Sequence, residues 1–287
     1  MNSSEGLRLR MKLTCLVDDA VQPDTGFWGE HGLAYLIEAD GQRVLFDTGQ
    51  SGTVLLHNLK LLDIDPATFD AVAISHAHYD HTGGLPALLP YLRPGTPLFA
   101  NADLFRQRFA RRAGPPKFIG SELSRDELSA RLTLKLSSDP QEIVPGVWTT
   151  GEINERTDFE GRGKELLMAV GGELVADAYR DDMALVLRSD DHLGLLCGCC
   201  HAGLLNALAH VARLFPEPVA LIIGGLHLAG VADGDLRRAC ARLAAMPALQ
   251  RIAPGHCTGE AAFLALAQSL GPVVVQTGPV GTVIEIA

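Results

Sequence analysis

The chain has 287 residues, 47% of them hydrophobic and 20% charged, so it can bury a sizeable core. Its 24 lysines and arginines stand against 34 acids, a formal charge of −10, which argues against broad binding to a nucleic-acid backbone. No run approaches the ~18 apolar residues of a membrane span, and Met1 to Arg10 lacks the apolar centre of a signal peptide.

Residues 1–10 read as a loose leader and 11–287 as one domain. Residues 9–17 alternate as a first strand. Two more strands, 33–38 and 43–46, flank the turn Ala39-Asp40-Gly41-Gln42. Helical spacing follows over 53–62. A short apolar strand at 71–74 runs into Ser75-His76-Ala77-His78-Tyr79-Asp80-His81-Thr82-Gly83-Gly84. A helix is predicted over 85–91, with Pro86 in its first turn, then a strand at 97–100 and a helix at 103–110. This alternation implies an α/β sheet covered by helices. Arg106, Arg108, Arg111 and Arg112 form the one basic cluster, readable as a solvated helix face or as an anion clamp.

Residues 111–165 are rich in glycine, proline and polar side chains, with short strand pieces at 132–136 and 147–150. Such a stretch reads as a lid, a substrate loop or a dimer arm. The second half predicts strands at 173–176, 183–187, 193–197, 219–223, 251–253, 273–275 and 282–286. Helices are predicted at 204–214, 235–245 and 260–270. Of six cysteines, Cys197, Cys199 and Cys200 are crowded together, which suits a reduced, cytoplasmic chain better than a disulfide framework.

The chemistry concentrates at strand ends. His76, His78, Asp80 and His81 place four potential metal ligands in six residues, and imidazole with carboxylate suits zinc, iron or manganese. His201, His227 and His256 each follow another apolar strand, where ligands gather in open α/β sheets. Asp47 closes a strand before Thr48-Gly49, either to orient a histidine or to cap a turn. His227, the one ionisable group in its apolar run, reads as a substrate contact, an acid or a structural histidine. His31, beside Glu30 and Trp28, either lines a substrate mouth or sits exposed. Cys197-Gly198-Cys199-Cys200 reads as a strand end, not a redox pair, and no Gly-x-Ser-x-Gly elbow supports a serine hydrolase.

The run His76-Ala77-His78-Tyr79-Asp80-His81, with Leu45-Phe46-Asp47-Thr48-Gly49 upstream and His256 downstream, resembles the metallo-β-lactamase-fold superfamily over about residues 10–287. Glu30-His31-Gly32, Asp181-Asp182-Met183-Ala184-Leu185, Gly198-Cys199-Cys200-His201-Ala202-Gly203, Gly224-Gly225-Leu226-His227-Leu228 and His256-Cys257-Thr258-Gly259 are similar to one branch. That branch includes the dihydropterin–ribofuranosylaminobenzene phosphate synthases of methanopterin biosynthesis. The resemblance implies a four-layer αβ/βα sandwich of mixed sheets, helices outside, with metal at one edge. It further implies two adjacent ions, zinc above all, with iron and manganese as alternatives. His76, His78 and His201 would hold one, and Asp80, His81 and His256 the other, with a water or hydroxide between.

Cys199 stands where many binuclear members carry a bridging aspartate. Its thiolate would either bridge and favour zinc, or act as a small buried residue. The third histidine of the family usually lies upstream, where Asp181 and Asp182 stand here. Asp182, His31 and His227 remain as catalytic or substrate-binding candidates. The implied activity is metal-dependent hydrolysis of an ester, lactone or phosphate in a small polar metabolite, through a metal-bound hydroxide. A pterin-methyl transferase and a non-catalytic ligand sensor are the alternatives. The expected partners are a small-molecule substrate and, through 111–165, a second copy of the chain, with neither nucleic acid nor membrane.

Overall fold

A computed structural model describes residues 10–286 except 162 and 164; the leader expected at 1–10 falls almost wholly outside the described residues. Strand alternation builds the architecture. Along Ala34–Ala39, Tyr35 and Ile37 point into one apolar cluster while Ala34 and Leu36 point into another. Along Ala184–Arg188, Leu185 and Leu187 face the first cluster, and Ala184 and Val186 face a third. The first cluster therefore lies between two sheets, and the other two lie between a sheet and its helices. Three interfaces make four layers, the αβ/βα sandwich expected. Each fully buried Leu, Ile, Val or Phe in these interfaces contributes about 1.5–3 kcal/mol of transfer free energy.

One sheet runs, edge to edge, Val283–Ile286, Met11–Val17, Ala34–Ala39, Gln42–Phe46, Ala71–Ala73, Pro97–Ala100 and Thr133–Leu136. The other runs Arg251–Gly255, Val219–Gly225, Leu193–Cys197, Ala184–Arg188, Val147–Thr149 and Glu142–Val144. Helices Gly52–Leu61 and Leu85–Leu88 cover the first sheet. Helices Leu204–Leu214, Asp233–Ala244 and Glu260–Leu270 cover the second. Among the described residues no helix is long and apolar enough to cross a membrane.

Three expectations change. The helix predicted over 103–110 is a 3-10 turn, Ala102–Phe105, followed by a strand, Arg108–Ala110. Arg108 is fully buried there against Asp177 and Asp181, so the arginine cluster is not a helix face. A helix would have carried that guanidinium away from its acids. Residues 111–165 are also not one loose insertion. Thr133–Leu136 extends the first sheet, and Glu142–Val144 with Val147–Thr149 extends the second. What stands apart is a small antiparallel sheet, Glu173–Ala176, Leu166–Val170, Arg108–Ala110 and Lys117–Phe118, three of its four strands outside the expected boundaries. Finally, the strand expected at 273–275 reduces to a single bridge from Val275 to Ile252.

Candidate metal centre

Six strands release their chemistry at one edge of the sandwich. Met11–Val17 ends at Asp18-Asp19, Gln42–Phe46 at Asp47, and Ala71–Ala73 at the Ser75–His81 turn. In the facing sheet Leu193–Cys197 ends at Cys199 and His201, Val219–Gly225 at His227, and Arg251–Gly255 at His256. Donor atoms of His76, His78 and His201 lie within 4.8 Å of one another, and so do those of Asp80, His81 and His256. These are the two triads the sequence implied. Cys199 forms a further group with His76 and His81, its Sγ 3.3 Å from His81 Nε2. His201 follows Cys200, whose φ is +55°, and joins this group although Asp181 and Asp182 stand where the family usually carries its third histidine.

Each imidazole has one nitrogen tied back. His81 Nδ1 donates to Asp47 Oδ2 at 2.7 Å. His76 Nδ1 lies 2.9 Å from Ser75 Oγ, whose hydroxyl donates to the same Asp47 Oδ2 at 2.7 Å. His78 Nε2 meets Tyr179 Oη at 3.2 Å, His201 Nδ1 the Gly161 carbonyl at 3.0 Å, and His256 Nδ1 Asp19 Oδ1 at 2.8 Å. Such partners fix both tautomer and ring orientation, which is how metal-bound histidines are usually held. The other nitrogens turn inward: His76 Nε2 faces His78 Nδ1 at 3.1 Å, and His201 Nε2 and His256 Nε2 are buried without a hydrogen-bond partner.

A buried polar atom with no partner is costly, so His201 Nε2 fits a cation as its missing neighbour, and His256 Nε2, 3.4 Å from Asp80 Oδ2, fits one shared with that carboxylate. Burial, reinforced by neighbouring imidazoles, holds His76 and His201 well below the usual histidine range. Burial also pushes His78 down, to about 3. Neutral imidazole is the form that ligates. The donor set, imidazole with one carboxylate and one thiol, fits zinc-type chemistry.

Asp47 is thus a carboxylate that orients two histidines at once, and its own φ of +56° is part of that placement. Glycine is required at 198, where a Cβ would sit 2.2 Å from Ser75 Oγ. Of the eight non-glycine residues with positive φ among the described residues, Asp47, Tyr179, Cys200, His227 and His256 all belong to this edge. Each such conformation costs about 1 kcal/mol or more, and the surrounding hydrogen bonds hold it in place.

A cavity of about 680 Å³ opens above these groups. His31, His78, Asp80, Cys199, His201, His227, His256 and Cys257 line its floor and mouth; Arg112, Lys117, Ile119, Glu165 and Leu166 line the wall made by the small sheet. His31 stands half exposed at the mouth, 3.0 Å from Asp19 Oδ2 and 3.3 Å from Asp80 Oδ2. Asp19 first, then Asp80, push it up to about 9.

Asp182 departs from its expected role. Its carboxylate is buried, does not line the cavity, and accepts the Ala202 amide at 2.7 Å, supporting the loop that carries His201. Asp181 supports the other loop, accepting the Ala77 amide at 2.8 Å and Arg108 Nη2 at 2.6 Å. Three participants were missed in the sequence. Asp19 had a signal, a carboxylate just past a strand end. Ser75 and Tyr179 had none.

The chain matches the Metallo-beta-lactamase superfamily over residues 28–163. It is 32% identical over 265 residues to the 7,8-dihydropterin-6-methyl-4-(beta-D-ribofuranosyl)-aminobenzene-5'-phosphate synthase of Methanocaldococcus jannaschii, covering 87% of this chain and 88% of that protein. A solved metal-dependent hydrolase of the beta-lactamase superfamily superposes with a TM-score of 0.82 at 28% identity, covering 96% of this chain and 99% of that one. Zn(2+)-bound PqqB from Methylobacterium extorquens shares the fold, with a TM-score of 0.54 at 11% identity, covering 95% of this chain and 99% of that one.

Proposed function

From a chain that belongs to the metallo-beta-lactamase superfamily, we propose a metal-dependent hydrolase that cleaves an ester, lactone or phosphate bond in a small anionic metabolite. The observation that carries the reading is the set of five imidazoles, each tied back through one nitrogen, beneath a cavity whose wall holds Arg112 and Lys117. His76, His78 and His201 would hold one ion and Asp80, His81 and His256 a second, with zinc the favoured cation. Paired ions held there would supply a water ionised near neutral pH and polarise the bond to be broken.

The chain's own residues do the rest. Arg112 and Lys117 bind the substrate's anionic group and aim the scissile bond at the floor. Asp47, Ser75, Tyr179, Asp19 and the Gly161 carbonyl keep the imidazoles from rotating. His31, at the mouth and 3.3 Å from Asp80 Oδ2, stands where it can donate a proton to the departing group.

A second reading, transfer of a pterin-methyl group to an arylamine, is favoured by the 32% identity to the archaeal synthase and by a cavity with room for two reactants. The test is turnover of phosphodiester, phosphomonoester and lactone substrates by zinc-loaded protein, with and without a ribosyl-aminobenzene phosphate acceptor. Hydrolysis should proceed without acceptor, stop on chelation and return with zinc. Product formed solely when acceptor is present would replace hydrolysis with transfer.

A further inference from the structure

We propose that the cavity holds a second kind of metal site, a thiol-rich subsite of Cys199, His227 and Cys257 that takes a soft cation such as Zn2+, Cd2+ or Cu+. The three residues follow three neighbouring parallel strands, Leu193–Cys197, Val219–Gly225 and Arg251–Gly255. Pairing of Cys197 with Gly224 and of Gly225 with Gly255 puts their loops at one depth. One donor atom from each lies within 4.8 Å of the other two, and all three line the cavity, which leaves a fourth position open. A tetrahedral ion with two sulfurs and one nitrogen sets its donors about 3.4–3.8 Å apart, so a small side-chain adjustment closes the site.

Two independent features show that the space is built. His227 Nδ1 is buried without a hydrogen-bond partner, and the backbone that carries the ring holds a left-handed φ of +45°. Small residues also make the room: at Gly225 a Cβ would lie 2.7 Å from Cys257 Sγ, and at Gly161 one would lie 2.8 Å from His227 Cβ. Cys257 Sγ accepts the His227 backbone amide at 3.3 Å, a contact that steadies a thiolate. Both thiols are free.

Two thiolates and an imidazole select a soft ion over magnesium, calcium or manganese. On binding, each thiol releases its proton to solvent and the imidazole coordinates as the neutral ring, so a divalent ion is balanced by the two sulfurs. Cys199 also belongs to the group with His76 and His81, so its sulfur can bridge the subsite to the imidazole–carboxylate centre.

The experiment counts sulfur donors. Protein whose imidazole–carboxylate centre has first been filled with zinc is given a single equivalent of Cd2+ under reducing conditions, and X-ray absorption at the cadmium edge is recorded. Two sulfurs on one ion are expected; at most one sulfur per ion overturns the proposal, and this measurement needs no variant. In Cys257→Ser loaded with Co2+, the thiolate charge-transfer band should fall to about half. The affinity for that equivalent should drop at least as far as the roughly 10–100-fold seen when a supporting residue is lost. Metal on the imidazole–carboxylate centre should persist, which reports a folded protein and keeps this outcome separate from the hydrolase reading. An unchanged band in Cys257→Ser also overturns the subsite.

Discussion

The floor of the cavity and its wall are built on opposite principles. The floor consists of loops released by strands of the two main sheets, and His76, His81, Asp47 and His201 in it are at most 1% exposed. The rings of His76, His78, His81, His201 and His256 each have a fixed partner behind them. The wall comes from the small antiparallel sheet, and its Arg112 and Lys117 are exposed. The two regions meet at Arg108 and at the Tyr79 amide, which donates to the Ile119 carbonyl at 2.9 Å. A rigid floor suits the positioning of metal and bond-breaking groups, and an exposed wall suits substrate choice. Floor and wall can then be broken separately.

The largest effect belongs to the floor. His78→Ala removes a donor from a fully buried triad and leaves His76 Nε2 and Tyr179 Oη without their contact. Zinc content of the purified variant, read by atomic emission, should fall by at least one ion per chain, and activity should drop to background. Full zinc stoichiometry would remove His78 from the ligand set. Asp47→Asn is a smaller break in the same region. The amide keeps the shape but cannot accept as an anion from His81, Ser75 Oγ and the Ser75 amide together. Metal affinity measured by competition with a chromophoric chelator should weaken by roughly 10–100-fold. Wild-type affinity in this variant would make Asp47 a turn cap, the alternative its position after a strand left open.

These two regions were also unequally readable in the sequence. The floor was legible because a metal site at strand ends leaves a linear trace. A short apolar run stops, and a candidate ligand follows within a few residues, as at His76, His201 and His256. Asp19 obeys the same rule and was passed over because one aspartate beside another in a loop carries no distinctive spacing. Tyr179 was unreadable for a physical reason: its contact with His78 spans 101 positions and depends on a φ of +46° that no local pattern announces. In the wall, a helix was expected over 103–110, with Arg106, Arg108, Arg111 and Arg112 readable as a solvated helix face. The decisive force was instead the pairing of Arg108 with Asp177 and Asp181, some seventy residues away. A burial-driven ion pair overrides local helical preference because an unpaired buried guanidinium would cost several kcal/mol.

The smallest expected effect isolates the wall. Arg112 lines the cavity beside Tyr79 and is exposed, so its replacement leaves the buried floor and the sheets intact. Arg112→Ala should keep zinc content and thermal stability at wild-type values. It should raise KM for a phosphate-bearing substrate by about tenfold, the loss of one charge-assisted contact worth about 1.4 kcal/mol, with a much smaller change in kcat. The same variant assayed on an uncharged lactone should show little change, because no anion is there for the guanidinium to meet. Equal loss on charged and uncharged substrates would mean that Arg112 shapes the cavity and does not read charge, and the division between a catalytic floor and a selective wall would fail at this residue. Loss of zinc in Arg112→Ala would fail it more deeply, since the wall would then be shown to hold the floor in place.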